Sequence, residues 1–196
     1  MTPITDRRVR RTRTALLHAL LSLMIEKGYD AITVQDLIDR ADIGRSTFYA
    51  HFTDKSDLLH EAMSGLRAIV EPGPEGPPPD RRRPLPFSLR MFQHVQDQHL
   101  LLRALLGHPG ASSVLSEIEQ ILLDVARIEL STLAGPPATV RVPLDLLART
   151  VVASYLAALT WWVSNDFQHT PDEMNALFQT IVAPGIRAAL PPSDRD

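Results

Sequence analysis

Residues 71–86 read EPGPEGPPPDRRRPLP, with seven prolines and two glycines. No helix or regular strand crosses such a run, because proline has no backbone donor and its ring clashes with the preceding turn. The segment is expected to be an extended connector, partly polyproline II, in preference to a ligand for a partner's aromatic groove. It divides the chain into a domain at 1–70, a linker at 71–86 and a second domain at 87–196.

Both parts have enough apolar material for a core. The 196 residues are 44% apolar and 22% charged, which excludes disorder of the chain as a whole. The absence of cysteine removes disulfides, thiolate metal sites and a cysteine nucleophile together. No uninterrupted apolar run reaches about 18 residues. The segment after the N-terminal arginines carries His18, Ser22 and Glu26 and lacks a small-residue cleavage site. A cytoplasmic protein with no signal peptide and no membrane segment is therefore expected. Charge is unevenly spread: residues 1–60 hold nine Lys/Arg against eight Asp/Glu, and residues 61–196 hold eleven against fifteen. Arg7, Arg8, Arg10, Arg11 and Arg13 crowd the start of the chain. Such an arm suits a phosphate backbone, although a solvated basic tail has the same composition.

Apolar spacing reads as helix throughout, so the expected fold class is all-α. Leu16, Ala19, Leu20, Leu23 and Met24 give a first helix over about 7–27 that stops at Gly28. Val34, Leu37, Ile38 and Ala41 give a short second helix, with Thr33 as N-cap and Asp36 completing a capping box. After a turn through Asp42–Gly44, Ile43, Phe48 and Phe52 form the inward face of a short third helix. A fourth begins near Asp54–Lys55. Beyond the prolines, helices are expected over about 87–107, 112–134, 144–168 and 171–188, the last kinked or broken at Pro184–Gly185.

Two short helices joined by a glycine-containing turn have the helix-turn-helix layout, whose second helix presents side chains to the major groove. With Phe48 and Phe52 turned inward, Arg45, Ser46, Thr47, Tyr49 and His51 are left facing out. All can hydrogen-bond, none is acidic, and Arg45 can make a bidentate contact to guanine.

Thr33, Leu37, Ala41, Gly44, Thr47, Phe48, Tyr49, His51, Phe52 and Lys55 together resemble the DNA-binding signature of the TetR family of bacterial transcription regulators. That resemblance implies an N-terminal three-helix DNA-binding domain followed by a helical ligand-binding and dimerisation domain. It implies base-edge contacts from Arg45, Ser46 and Thr47, and phosphate or flanking contacts from Tyr49, His51, Thr33 and Lys55. Gln35 is a further groove candidate, and Arg7, Arg8, Arg10 and Arg11 are expected on backbone or minor groove. Thr33 is also a good cap without any DNA, and alanine at position 50 replaces a larger residue often found there. The resemblance further implies a homodimer through the last two helices, a palindromic operator in double-stranded DNA, and release by a small-molecule effector.

For the effector, Met91, Phe92, His94, Tyr155, Trp161 and Trp162 are pocket candidates, as are His99 and Phe167; ordinary core packing is the competing reading for each. The two indoles lie about 100° apart on one helix, so one is expected at an interface and the other at a cavity. His94, His99 and His108 lack the spacing of a helical metal pair, so neither a metal nor a cofactor is expected. No GxGxxG, GxxxxGK[ST], HExxH or GxSxG occurs, and no enzyme is expected. The alternative is an activator or partner-binding coactivator on the same scaffold with little DNA affinity.

Overall fold

A computed structural model of the chain describes residues 3–71, 79, 83–107, 112–134 and 141–190, with side chains from residue 8 onward. The expected linker therefore falls largely outside the described residues, as does His108. The fold is all-α, as expected: α1 (Pro3–Lys27), α2 (Val34–Ala41), α3 (Arg45–Tyr49), α4 (Lys55–Val70), α5 (Pro86–Asp97), α6 (His99–Gly107), α7 (Ser112–Ala134), α8 (Leu144–Ser164) and α9 (Pro171–Ala189). Two compact units form. The first contains residues 1–66 with 100–117, the second 67–99 with 118–196.

In the first unit α1 buries Leu16, Ala19, Leu20, Leu23 and Met24 and packs on α2, which buries Leu37 and Ile38. Gly28 ends α1 with φ 75°, a left-handed conformation that glycine adopts without a Cβ clash, and its N–H reaches the Met24 carbonyl at 3.1 Å. The arginines at the start of the chain do not form a separate arm. They are the first turns of α1, which begins at Pro3, because arginine is a strong helix former and nothing in the run interrupts the spiral.

In the second unit α9 packs on both α5 and α8. The centre is aromatic: the Tyr155 ring lies 4.7 Å from Phe92, 5.3 Å from Phe178 and 5.7 Å from Phe87, and Trp162 lies 5.6 Å from Phe92. α8 is long and apolar enough to cross a membrane, but its Leu147, Ala148, Val151, Val152, Tyr155, Leu159 and Trp162 are buried, as in the core helix of this unit.

Three expected boundaries differ. The pattern at 87–107 is two helices, broken at Gln98 (φ −109°, ψ 26°), whose N–H is shared between the His94 and Val95 carbonyls. The helix expected to reach 168 ends at Ser164, because Asp166 and Phe167 are both left-handed with φ 55°. In contrast, α9 runs through Pro184–Gly185 to Ala189. One missing backbone bond is tolerated there because Val182, Ala183, Ile186 and Ala189 are buried on either side of the proline.

One buried charge pair stands out. Glu129 is 1% exposed, accepts from the Phe87 N–H at 3.1 Å and faces Arg90 at 3.2 Å; Arg90 also donates to the Val70 carbonyl at 2.6 Å. Burial pushes the Glu129 carboxyl up to about 7, against the pull of Arg90. A carboxyl raised in the folded state favours folding below its unfolded value and loses that contribution as pH climbs through about 7. The half-buried His94, whose proton affinity burial lowers, acts with the opposite sign. Thermal melts from pH 5 to pH 8 should therefore show wild type losing stability relative to Glu129→Gln as pH rises. Parallel pH profiles for the two proteins would refute this.

Candidate nucleic-acid interface

The site is built from two short helices that cannot stand alone. α2 starts at Thr33, whose Oγ1 accepts from the Asp36 N–H at 3.2 Å while the Asp36 carboxylate accepts from the Thr33 N–H at 2.7 Å. This is the expected capping box. Lys27 lies 2.7 Å from the same carboxylate. Lys27 and the Thr33 donors together hold Asp36 well below the usual carboxylate range.

The turn into α3 lies at Asp42–Gly44, as expected. Its left-handed residue is Asp42 (φ 53°, ψ 52°), whose N–H bonds the Asp39 and Ile38 carbonyls; Gly44 caps α3 at φ −76°, where any residue fits. Aspartate is among the few side chains that tolerate the left-handed region. α3 itself is five residues long, with Phe48 fully buried and Phe52 3% exposed, their ring centres 6.0 Å apart. The Tyr49 ring packs edge-on against Phe48 at 5.4 Å yet is 52% exposed. Arg45, Ser46 and Ala50 are exposed, and Thr47 and His51 half-buried. Arg8 and Thr12 of α1 line one open groove with Ser46, Thr47, Ala50 and His51.

Hydrogen bonds sort the basic residues into two groups. Arg13 forms a bidentate pair with Glu61 and lies 5.3 Å over the Phe52 ring. Arg40 is paired bidentately with Glu26, at 2.7 and 2.5 Å. These residues hold helices together. Arg8, Arg10, Arg11 and Arg45 are exposed and enter no ion pair among the described residues. Arg10 and Arg11 share a second groove with Thr14, Ala15 and His18. The Arg7 side chain lies outside the described ones.

Lys55 is drawn inward. Its Nζ donates to the carbonyls of Ile32 at 2.8 Å, Tyr29 at 3.1 Å and Asp30 at 3.3 Å, and lies 4.5 Å over the Tyr29 ring. The ammonium thus has three carbonyl acceptors inside the protein, one for each of its donors. Thr33 spends its hydroxyl on the cap, and the Gln35 amide donates to Asp39 at 2.8 Å. Sequence reasoning missed Tyr29 and Arg13 as organisers of this unit; the only sign of Tyr29 was an aromatic ring directly after the helix-ending glycine.

In the second unit Met91, Phe92, Tyr155 and Trp162 are buried, and His94 is half-buried. The Tyr155 hydroxyl has no hydrogen-bond partner among the described residues. Trp161 does not join them. It is 49% exposed and stacks on His169 at 5.7 Å, because its neighbour Trp162 takes the inward direction and donates to the His169 carbonyl at 2.9 Å.

Residues 16–62 match the model of bacterial regulatory proteins of the tetR family, and residues 82–183 match that of a transcriptional regulator C-terminal region. An uncharacterized HTH-type transcriptional regulator of Bacillus subtilis (strain 168), YxbF, is 47% identical over 55 residues, 28% of this chain and 14% of the relative. The HTH-type transcriptional regulator TcmR of Streptomyces glaucescens is 31% identical over 68 residues, 35% of this chain and 29% of that one. The matches thus span well under half of the curated relatives' length. A TetR transcriptional regulator from Streptococcus agalactiae 2603V superposes with TM-score 0.67 at 26% identity, covering 91% of this chain and 97% of its own. NalD, the secondary repressor of a multidrug efflux pump in Pseudomonas aeruginosa, shares the fold with TM-score 0.61 at 18% identity, over 90% of this chain and 97% of its own. These matches are to regulators, not enzymes.

The Phe48 ring sets the orientation of α3. Phe48→Ala should cost roughly 3–5 kcal/mol in denaturant unfolding, and Thr33→Ala about 1 kcal/mol. Equal small losses would show that the ring is not what anchors the helix.

Proposed function

The chain belongs to the TetR family of bacterial transcription regulators, and we propose that it is a homodimeric cytoplasmic repressor, released from a palindromic operator by a small molecule. The observation that carries the DNA part is the solvent-facing, acid-free surface of α3, with Arg45 exposed and unpaired among the described residues and Arg8 in the adjoining groove. Arg45, Ser46 and Thr47 read base edges, Tyr49 and His51 meet the backbone, and Arg7, Arg8, Arg10 and Arg11 follow the flanking phosphates or minor groove. Thr33 and Gln35 lie at the edge of this surface.

Two-fold pairing follows from the size of the reading element. One α3 reads few bases, whereas two related by a dyad enter successive major grooves about 34–36 Å apart. The material for the dyad is on α8 and α9, where Leu146, Trp161, Leu177 and Ile181 are 46–70% exposed. A face of this kind is what a helical bundle shared between copies would bury. Repression is supported by the likeness to NalD. Effector binding is supported by the aromatic cluster of Phe92, Tyr155 and Trp162, with Met91 and His94 on α5 beside it in sequence.

A duplex selected by the full-length protein from a random-sequence pool is the test. Arg45→Ala should lower its affinity by roughly 1–3 kcal/mol per half-site and relax the preference at one base position. Equal losses on selected and unrelated duplexes would remove Arg45 from base reading. Ile181 is 70% exposed, so Ile181→Glu should leave thermal stability within about 0.5 kcal/mol. Sedimentation should nonetheless show a monomer that has lost tight operator binding. A variant that remains dimeric would place the interface elsewhere.

A further inference from the structure

The connector is bounded by two helix ends of the second unit: Val70 closes α4 and Pro86 opens α5. Each helix end leaves backbone groups without a helical partner. Val70 is buried, and its carbonyl accepts twice from Arg90, from Nε at 3.2 Å and from a terminal nitrogen at 2.6 Å. At the start of α5, Leu85 makes no side-chain cap and Pro86 has no N–H. Phe87 therefore carries the first donor in need of an acceptor, and it reaches the two Glu129 oxygens at 3.1 and 3.4 Å. The cation caps a C-terminus and the anion an N-terminus, each at the end whose partial charge it complements. Arg90 and Glu129 then meet at 3.2 Å, so one pair holds both ends.

The two partners are unequally provided for. The shorter guanidinium bond goes to Val70, which leaves the buried carboxylate with one N–H and one longer guanidinium contact. Ionised in that place, it has lost more hydration than its partners return, which is why burial pushes it up to about 7. Arg90 is the charged group that acts on it. On α4, Arg67 is paired with Glu71 and with Asp124 of α7; Arg127 of α7 is paired with Asp124 and with Asp145 of α8. α9 turns the uncharged Asn175 and Gln179 to Ser88, at 2.6 and 3.1 Å. α8 turns Tyr155 to the Phe87 ring, and burial keeps that phenol neutral. His94, one turn beyond Arg90 on α5, is held below its ordinary range by burial.

We propose that Arg90 and Glu129 form a pH-operated clasp, which ties the end of α4 to the start of α5 while Glu129 keeps its proton and lets that junction open as Glu129 ionises. A protonated carboxyl still accepts from the Phe87 N–H and from Arg90 through its carbonyl oxygen. Opening returns the group to water, where it regains its ordinary value near 4.5. The closed junction thus holds the proton more tightly than the open one, and rising pH favours opening. Between pH 6 and pH 8 the opening constant should grow roughly tenfold.

Hydrogen exchange of the full chain tests the clasp, read as protection of the Phe87–Arg90 amides relative to their intrinsic rates at each pH. Wild-type protection should fall roughly tenfold from pH 6 to pH 8. Glu129→Gln keeps an acceptor but cannot ionise, so its protection should stay level; His94 is present in both proteins and cancels from the comparison. The same amides should be less protected than those of Val151–Tyr155 at either pH, the mark of a local opening. Parallel profiles in the two proteins would overturn the clasp, and so would protection equal to that of α8, because Glu129 would then titrate only when the whole unit unfolds. Should Glu129→Gln fail to fold, the side-chain carboxyl carbon signal of wild-type Glu129 decides. A midpoint near 7, with the Phe87 amide signal moving at the same pH, supports the clasp. A midpoint in the ordinary carboxyl range overturns it.

Discussion

A helix of five residues has no stability of its own in water, where isolated helices shorter than about 12–15 residues are marginal. α3 exists because Phe48 is taken completely out of solvent, with Phe52 beside it and Tyr49 edge-on at its rim. The directions of the other side chains on α3 follow from that burial, because 3.6-residue periodicity sets Ser46 nearly opposite Phe48, Tyr49 about a quarter-turn away and Arg45 at its flank once Phe48 is fixed. The capping box on α2 and the carbonyl bonds of Lys55 act on the platform beneath it. Both limit where α3 lies, and neither would form it without the ring.

What the sequence made legible were features set by local rules. The capping box at Thr33, the stop at Gly28 and the inward pair Phe48 and Phe52 each depend on residues within four positions of one another. What it hid depends on distant partners. The acceptors of Lys55 lie 23 to 26 positions away, and Glu61, which engages Arg13, lies 48 away. Nothing in the local spacing around a lysine at a helix start shows that carbonyls of a distant corner accept from it. The Gln98 break was illegible for another reason: no glycine or proline marks it. At Pro184 the sequence carried a strong break signal, and tertiary packing of the flanking apolar residues overrode it. The tryptophan pair was half legible, since periodicity puts two faces on the helix without saying which is inward.

Electrostatics divides labour in both units. In the first, Arg13, Lys27 and Arg40 are consumed by structure, which leaves the positive potential at Arg8, Arg10, Arg11 and Arg45. In the second, charges alternate in one continuous line. Arg67 joins Glu71 at 3.3 Å and Asp124 at 2.8 Å, and Arg127 joins Asp124 at 3.4 Å and Asp145 at 2.5 Å. Asp145 in turn holds Arg149 at 2.8 Å. Each such solvent-exposed pair contributes little by itself. In a line, an arginine ordered for one partner is already ordered for the next. The last turn of α4 is thereby tied to α7 and α8 by polar contacts, and by Arg90 on the Val70 carbonyl.

The hydroxyl of Tyr155 sits wholly inside its unit among phenyl rings, with nothing among the described residues to accept its proton. A hydroxyl removed from water without a partner costs on the order of 1–3 kcal/mol. Phenylalanine would fill the same volume without that penalty. An acceptor brought to this point would therefore meet a buried hydroxyl that no described residue engages.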